Sequence, residues 1–316
     1  MKICFTHRPI NTSFGGGNQF VLNMIKLINE KNPSIKIVFD LNHRDIDIIF
    51  IIDPRIGRNK INYHMVSQYK KYYPNVKLIH RVNDCDIKRE KSINMEPLLV
   101  KTMKISNHVI FISNWLQNYF IKKYSLNLPS YSYILNGCNK KHFFPQDNKI
   151  VSDKIKLVTH HWSNNLLKGF HIYDKLDKLL PSFKNIEFTF IGNYNPKYKP
   201  ENIKLISPKN GKELGDIIKK NNIYLTASLN EPCGMHHIEG LSCGLPILYC
   251  KGGGAIKEVC KDVGEEFENI DDLFVKLNKI MDNYNNYVKN INYEYLSADR
   301  CCQEYYKIIR NMLNLK

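Results

Sequence analysis

Short apolar runs of strand character alternate with amphipathic helical stretches along most of this chain, and the pattern restarts once near its middle. Successive parallel strands need a crossover between them, usually a helix, so this rhythm confines the chain to an α/β architecture with parallel sheets. In the first half, residues 3–6, 35–39, 46–52, 76–80 and 109–113 read as buried strands. Residues 19–29, 62–72, 93–105 and 115–124 read as helices, with Phe20, Met24, Leu27 and Ile28 at helical spacing. In the second half the strands are residues 155–159, 186–191, 203–206, 223–226 and 247–249, and the helices residues 168–180, 212–220 and 235–242. Residues 144–149 between the halves are polar, include Pro145 and lack periodicity, which marks a linker. The expected organisation is two doubly wound domains, residues 1–146 and 147–296, with residues 297–316 forming a helix that crosses back to the first. At 316 residues the chain is long enough for two cores. Two such domains facing each other predict a ligand at the carboxyl ends of the strands, in the crevice between them.

Composition narrows the function classes. A hydrophobic content of 43% and 19 tyrosines argue against disorder. No apolar run is long enough to cross a bilayer, and Met1 to Phe5 pass straight into a strand pattern without a signal-peptide core. Nine scattered cysteines suit a reducing compartment better than a disulfide framework, so the expectation is a cytoplasmic protein. The net charge of +16 attracts anions of any kind: nucleotide-sugars, acidic headgroups or nucleic acid. Solvated surface charge accounts for much of it, and a membrane-facing patch comes next. Nothing interleaves aromatic and basic residues as a nucleic-acid motif would, so no nucleic-acid partner is expected.

The segment Asn230-Glu231-Pro232-Cys233-Gly234-Met235-His236-His237-Ile238-Glu239-Gly240 sets two glutamates eight positions apart with a glycine between them. Cys243 to Pro246 and the run Gly252 to Gly254 follow. One carboxylate on a turn, a second on the next helix and a helix N-terminus between them suit a sugar, a ribose and a phosphate held together. Read alone, Glu231 also fits an exposed loop and Glu239 a helix surface charge. Lys168-Gly169 opens a helix after a strand and a polar loop, and Gly15-Gly16-Gly17 lies between the first strand and its helix. That glycine run lacks dinucleotide-binding spacing and equally fits an ordinary turn.

These segments resemble the donor site of family-4 retaining glycosyltransferases, which have the GT-B fold of two Rossmann-like domains facing a central cleft. The likeness is closest over residues 109–260 and looser over 1–108, and it includes Ser113 at a strand end and the Asn136-Gly137 turn. It implies that Glu231 lies beside the donor sugar, Glu239 holds the ribose hydroxyls, and Lys168 reaches the diphosphate. It implies further donor contacts from Gly16 and Gly17, from Gly192, and from Cys233, Gly234, Met235 and His236 at the helix start. His80 would touch the sugar and Arg81 face the diphosphate. The family's arginine shortly before the lysine is missing here; His160, His161, Trp162, Ser163 and Asn164 occupy the region, with His161 or Asn164 as hydrogen-bonding substitutes.

The implied reaction transfers a glycosyl group from a nucleotide diphosphate sugar, UDP slightly favoured, to an acceptor hydroxyl, with retention and without a metal or other cofactor. Asp45/Asp47 and Asp84/Asp86 imitate metal-binding pairs but lie far from the donor segment, and Cys233, His236 and His237 lack a fourth zinc ligand. The acceptor is a glycan, a lipid-linked sugar or a small molecule, with peripheral contact to an anionic membrane as a further possibility. Alternatives are another GT-B activity such as a nucleotide-sugar epimerase, or a non-catalytic basic protein that binds polyanions.

Overall fold

The computed structural model describes residues 1–10, 15–57, 60–146 and 154–315. The chain forms two compact units: Met1–Asp86 with Ser92–Leu135 and Ala298–Lys316, and Ile87–Lys91 with Asn136–Ser297. The linker expected at 144–149 falls partly outside the described residues, which stop at 146 and resume at 154.

The first unit runs β1 (Lys2–Phe5), α1 (Gly15–Lys31), β2 (Lys36–Val38), β3 (Ile48–Ile51), α2 (Tyr63–Tyr72), β4 (Lys77–Val82), α3 (Glu96–Ile105), β5 (His108–Phe111), α4 (Asn114–Tyr124) and β6 (Tyr131–Tyr133). All pairings are parallel, in the order β2-β1-β3-β4-β5-β6. The chain builds outward from β1 to β2, then reverses from β3 onward, so the topological switch point lies between β1 and β3. Asn62 and Ser113 cap α2 and α4 by accepting backbone N–H bonds in their first turns. Ser113, the strand-ending serine of the family likeness, thus has a structural task.

The second unit runs β7 (Ile155–His161), α5 (Phe170–Leu179), β8 (Ile186–Gly192), β9 (Lys204–Ile206), α6 (Gly211–Ile218), β10 (Ile223–Thr226), α7 (Met235–Ser242), β11 (Ile247–Cys250), α8 (Ile256–Cys260), β12 (Gly264–Phe267), α9 (Ile270–Asp282) and α10 (Tyr284–Lys289). Its sheet is again parallel, in the order β12-β11-β10-β7-β8-β9, with the switch point between β7 and β10. The pattern reading assigns no element between residues 250 and 296, where the structure has α8, β12, α9 and α10. The strand β12 carries Glu265 and Glu266 and lies at a sheet edge, so it lacks the apolar run of a central strand. The helix α9 does show a helical stripe, with Leu273, Leu277 and Ile280 buried and Asn269 capping its start.

The last helix, α11 (Ala298–Met312), belongs to the first unit. Its Cys301, Cys302, Tyr305 and Ile309 join Phe20, Val21, Met24 and Ile28 of α1 in one buried cluster. Phe20 and Tyr305 meet edge to face at 4.7 Å. A separate cluster in the second unit joins Phe170, Tyr173 and Leu176 of α5 to Leu225, Leu248 and Leu277. Among the described residues no cysteine is in a disulfide, and all nine are buried. No described helix is long and apolar enough to cross a membrane.

Candidate active site

The carboxyl ends of β7 and β10 lie side by side at the second unit's switch point, and the segments singled out in the sequence gather there. After β7 the chain makes a short 3-10 turn, Leu166–Lys168, before Gly169 (φ 89°) starts α5. Lys168 is therefore on the turn before the helix rather than its first residue. A Cβ at Gly169 would sit 2.3 Å from that of Ala227, so glycine is what lets this turn lie against the end of β10. Leu229 N–H then donates to Leu167 O at 2.8 Å and holds the two loops together.

That junction sets Lys168 Nζ directly on the Glu231 carboxylate in a close ion pair. Glu231 is buried; burial pushes its pKa up, but the charges of Lys168 and Lys88 outweigh this and hold it below the ordinary carboxylate value. The run Gly252 to Gly254 supports the same loop: Glu231 N–H donates to Gly253 O at 3.3 Å, and Ala255 N–H to Glu231 O at 2.9 Å. Gly254 (φ 70°) would bring a Cβ within 2.7 Å of Glu231 O. From the other side Asn136, of the Asn-Gly turn, donates its amide to Cys233 O at 2.9 Å.

Gly234 then begins α7, and no side chain caps that helix start. A Cβ on Gly234 would lie 2.6 Å from the His236 ring and 3.0 Å from Glu231 Cδ. The glycine is required by close approach, and the first N–H groups of α7 carry no side-chain cap. Glu239, one turn along α7, accepts a hydrogen bond from His160 Nε2 at 2.7 Å. His236 Nε2 meets Thr226 Oγ1 at 3.1 Å, and burial holds its pKa well below the ordinary value. His237 is fully buried with no partner for either ring nitrogen, and burial pushes its pKa down to about 4.

The two substitutes named for the missing arginine differ in their surroundings. His161 turns into the second unit, its Nε2 3.0 Å from Tyr173 OH and its ring 5.8 Å from that of Phe190. Residues alternate across a strand, yet both histidines reach α7: His160 through Glu239, and His161 through the His236 ring at 4.9 Å between centroids. Asn164 is exposed, and its carbonyl accepts from Asn195 Nδ2 at 2.6 Å. Gly192 (φ 128°) pairs with His161 across β7 and β8, where a Cβ would lie 2.0 Å from His161 O, so backbone fit calls for glycine there.

Sequence reasoning missed a strap, residues 87–91, which belongs to the second unit. Ile87 O accepts from Asn230 Nδ2 at 3.4 Å, Lys88 O from Asn165 Nδ2 at 3.3 Å, and the Glu90 carboxylate from Leu166 N–H at 2.5 Å. It therefore touches both loops that carry the Lys168–Glu231 pair. These five residues sit in an irregular segment with no periodicity, and these contacts lie 76 to 143 positions away in sequence.

In the first unit Gly16 and Gly17 lie in the opening turn of α1, after β1. His80, near the end of β4, has no solvent exposure and no partner for either ring nitrogen; burial pushes its pKa down to about 3, so the imidazole is neutral. Arg81 is buried with its guanidinium 4.4 Å over the Phe20 ring, a packing task that its expected role on a diphosphate does not include.

Residues 146–296 match the family model of glycosyl transferases group 1, so the match covers the second domain. The gpi3 subunit of the phosphatidylinositol N-acetylglucosaminyltransferase of Schizosaccharomyces pombe is 25% identical over 176 residues, 52% of this chain. The chain covers only 38% of that relative's length. Among solved structures, the sucrose-phosphate synthase of Thermosynechococcus elongatus superposes with a TM-score of 0.71 at 12% identity, covering 100% of both chains. HepE of Anabaena, solved in complex with UDP, gives 0.73 at 14% identity, covering 98% of this chain and 100% of that one. The two parallel-sheet Rossmann-like domains thus match the GT-B fold. Together with the family match on the second domain, they support a glycosyltransferase.

Proposed function

We propose that this chain moves a glycosyl group from a nucleotide diphosphate sugar, a UDP-sugar first among them, to an acceptor hydroxyl with retention of anomeric configuration. One observation carries the reading: the Lys168–Glu231 ion pair lies beside the uncapped start of α7, with Glu239 one turn further on. Cation, amide donors and two carboxylates are the groups a diphosphate, a sugar and a ribose require. HepE, solved with UDP, favours uridine as the base.

In this reading the diphosphate settles on the N–H groups of Gly234, Met235 and His236, flanked by Cys233, and Lys168 exchanges the Glu231 carboxylate for a phosphate oxygen. Lys88, whose charge already acts on Glu231, supplies cationic charge that the absent arginine does not. Glu231, released, accepts sugar hydroxyls and eases positive charge at the anomeric carbon. The bond from that carbon to the β-phosphate oxygen breaks as the acceptor oxygen bonds on the same face, and the acceptor proton passes to the departing phosphate. A single carboxylate at the sugar favours this course over a covalent glycosyl-enzyme, which needs a closely spaced pair. Phosphate charge is met by lysines and amide dipoles without a metal. Gly16, Gly17, His80 and Arg81 of the first unit keep the donor roles that the family likeness implies. The acceptor is a glycan, a lipid-linked sugar or a small molecule, and the site of action is the cytoplasm, at an anionic membrane surface when the acceptor is lipid-linked. The epimerase and polyanion-binding readings are not favoured by the group 1 match.

A thermal-shift screen against UDP-, GDP- and ADP-sugars tests the proposal, because a ligand bound at 100 times its Kd stabilises the fold by about 2.7 kcal/mol. A UDP-sugar should raise Tm and be slowly hydrolysed with the α or β configuration of the donor kept in the first-formed sugar. No shift with any nucleotide-sugar overturns the reading.

A further inference from the structure

The polar chain beneath Glu239 has a direction. Tyr224 is fully buried on β10, and its hydroxyl accepts the backbone N–H of His160 at 3.0 Å. The same hydroxyl lies 3.0 Å from His160 Nδ1 and 3.4 Å from His160 O, so its own proton goes to the nearer and better acceptor, Nδ1. A ring nitrogen that accepts leaves the other to donate; His160 therefore presents Nε2–H to Glu239 Oε2 at 2.7 Å. The imidazole is clamped on its sides, edge to face with Tyr224 at 5.6 Å and with His236 at 6.4 Å. Glu239 itself keeps 16% side-chain exposure, so one carboxylate oxygen is tied inward and the other remains for a ligand.

The neighbouring glycine completes the arrangement. A Cβ at Gly240 would lie 2.4 Å from the Tyr224 ring, so the Glu239-Gly240 pair joins the carboxylate to the space that the tyrosine needs. Burial raises the Tyr224 pKa, which keeps the phenol protonated as the donor this chain requires.

We infer that His160, locked by Tyr224, is a positioning residue that holds the Glu239 carboxylate in the orientation that reads the ribose hydroxyls of the donor. This rests on the nucleotide-sugar reading above. A glutamate on a helix turn has several rotatable bonds, and fixing them costs side-chain entropy. The Tyr224–His160 chain meets that cost before the ligand arrives.

The test compares, by calorimetry, UDP, GDP and ADP with their 2′,3′-dideoxy analogues on the wild type, Glu239→Gln, His160→Phe, His160→Gln and Tyr224→Phe. The wild type should prefer the ribose form of its nucleotide by about 10-fold or more, the range of a charge-assisted hydrogen bond. Glu239→Gln and His160→Phe should both bring that ratio to within about 3-fold of unity while the dideoxy affinity stays unchanged. His160→Gln, which keeps an N–H donor, should restore part of the ratio, and Tyr224→Phe should fall between. If Glu239→Gln loses the ratio and the His160 variants keep it, or if they weaken both nucleotides equally, the positioning role is wrong. If the wild type binds these nucleotides without regard to ribose, the positioning role falls while diphosphate binding stands. If it binds none of them, the parent reading falls and takes this one with it. Should His160→Phe fail to fold, the Gln and Tyr224→Phe ratios decide.

Discussion

At the scale of single residues, the site depends on charges that the fold has taken out of water. Glu231 and Lys168 compensate each other, so removing Lys168 leaves a buried carboxylate without its ion-pair partner. Glu231→Gln should lower kcat by about 10²-fold, in the range found when one preorganised electrostatic group is removed, with a smaller change in donor KM. A loss below about tenfold would show that Glu231 does not act in the transition state. Gly234→Ala should weaken donor binding and destabilise the second domain by about 1–3 kcal/mol, since its Cβ has no room beside the His236 ring; denaturation and calorimetry would show both. His237 gives a pH prediction. Folded, it stays neutral until about 4, whereas unfolded it takes up a proton near its ordinary 6.5. Between those values the unfolded chain binds more protons, so stability falls as pH drops from 6.5 to 4, by roughly 3 kcal/mol for this residue alone. Urea melts at pH 7 and 4.5 should show that loss, and His237→Leu should shrink it.

At the scale of elements, loops decide the site and helices decide the units. The Lys168 turn, the Glu231 loop, the Gly252 to Gly254 run and the strap at 87–91 hold one another by backbone and amide hydrogen bonds. Lys88→Ala should therefore raise the donor Kd without unfolding the protein, while Lys88→Arg should preserve it; unchanged affinity in Lys88→Ala would remove the strap from donor binding. In the first unit α11 contributes Tyr305 to the core against Phe20 and Phe50. Tyr305→Ala should cost about 3–5 kcal/mol, read as an early transition in a denaturation curve that leaves the second unit's transition in place.

At the scale of the molecule, two parallel sheets each carry a switch point, and the candidate donor groups of the second sit at its own. If phosphate charge is met by side chains and amides as proposed, sugar transfer should continue in excess EDTA. Loss of activity that only added Mg²⁺ or Mn²⁺ restores would refute that part of the reading. The +16 net charge predicts salt-sensitive binding to vesicles of anionic lipid and none to neutral ones, measurable by sedimentation.

The sequence alone was enough for the architecture and for most of the donor segment, because both are local in origin. Strand and helix periods follow from which face of each element meets a core, and the Glu231 to Glu239 segment is one continuous loop and helix. The edge strands β6 and β12 escaped because an edge strand need not be apolar. Only the tertiary structure decided which charges meet. Lys168 and Glu231 are 63 residues apart, His160 and Glu239 79 apart, and the strap reaches its partners across 76 to 143. It also set His161 between Tyr173 and His236, laid Arg81 over the Phe20 ring and put His160 in contact with Glu239. Such pairings are set by sheet order and by which side of a strand each residue takes, and neither is written in the spacing of residues along the chain.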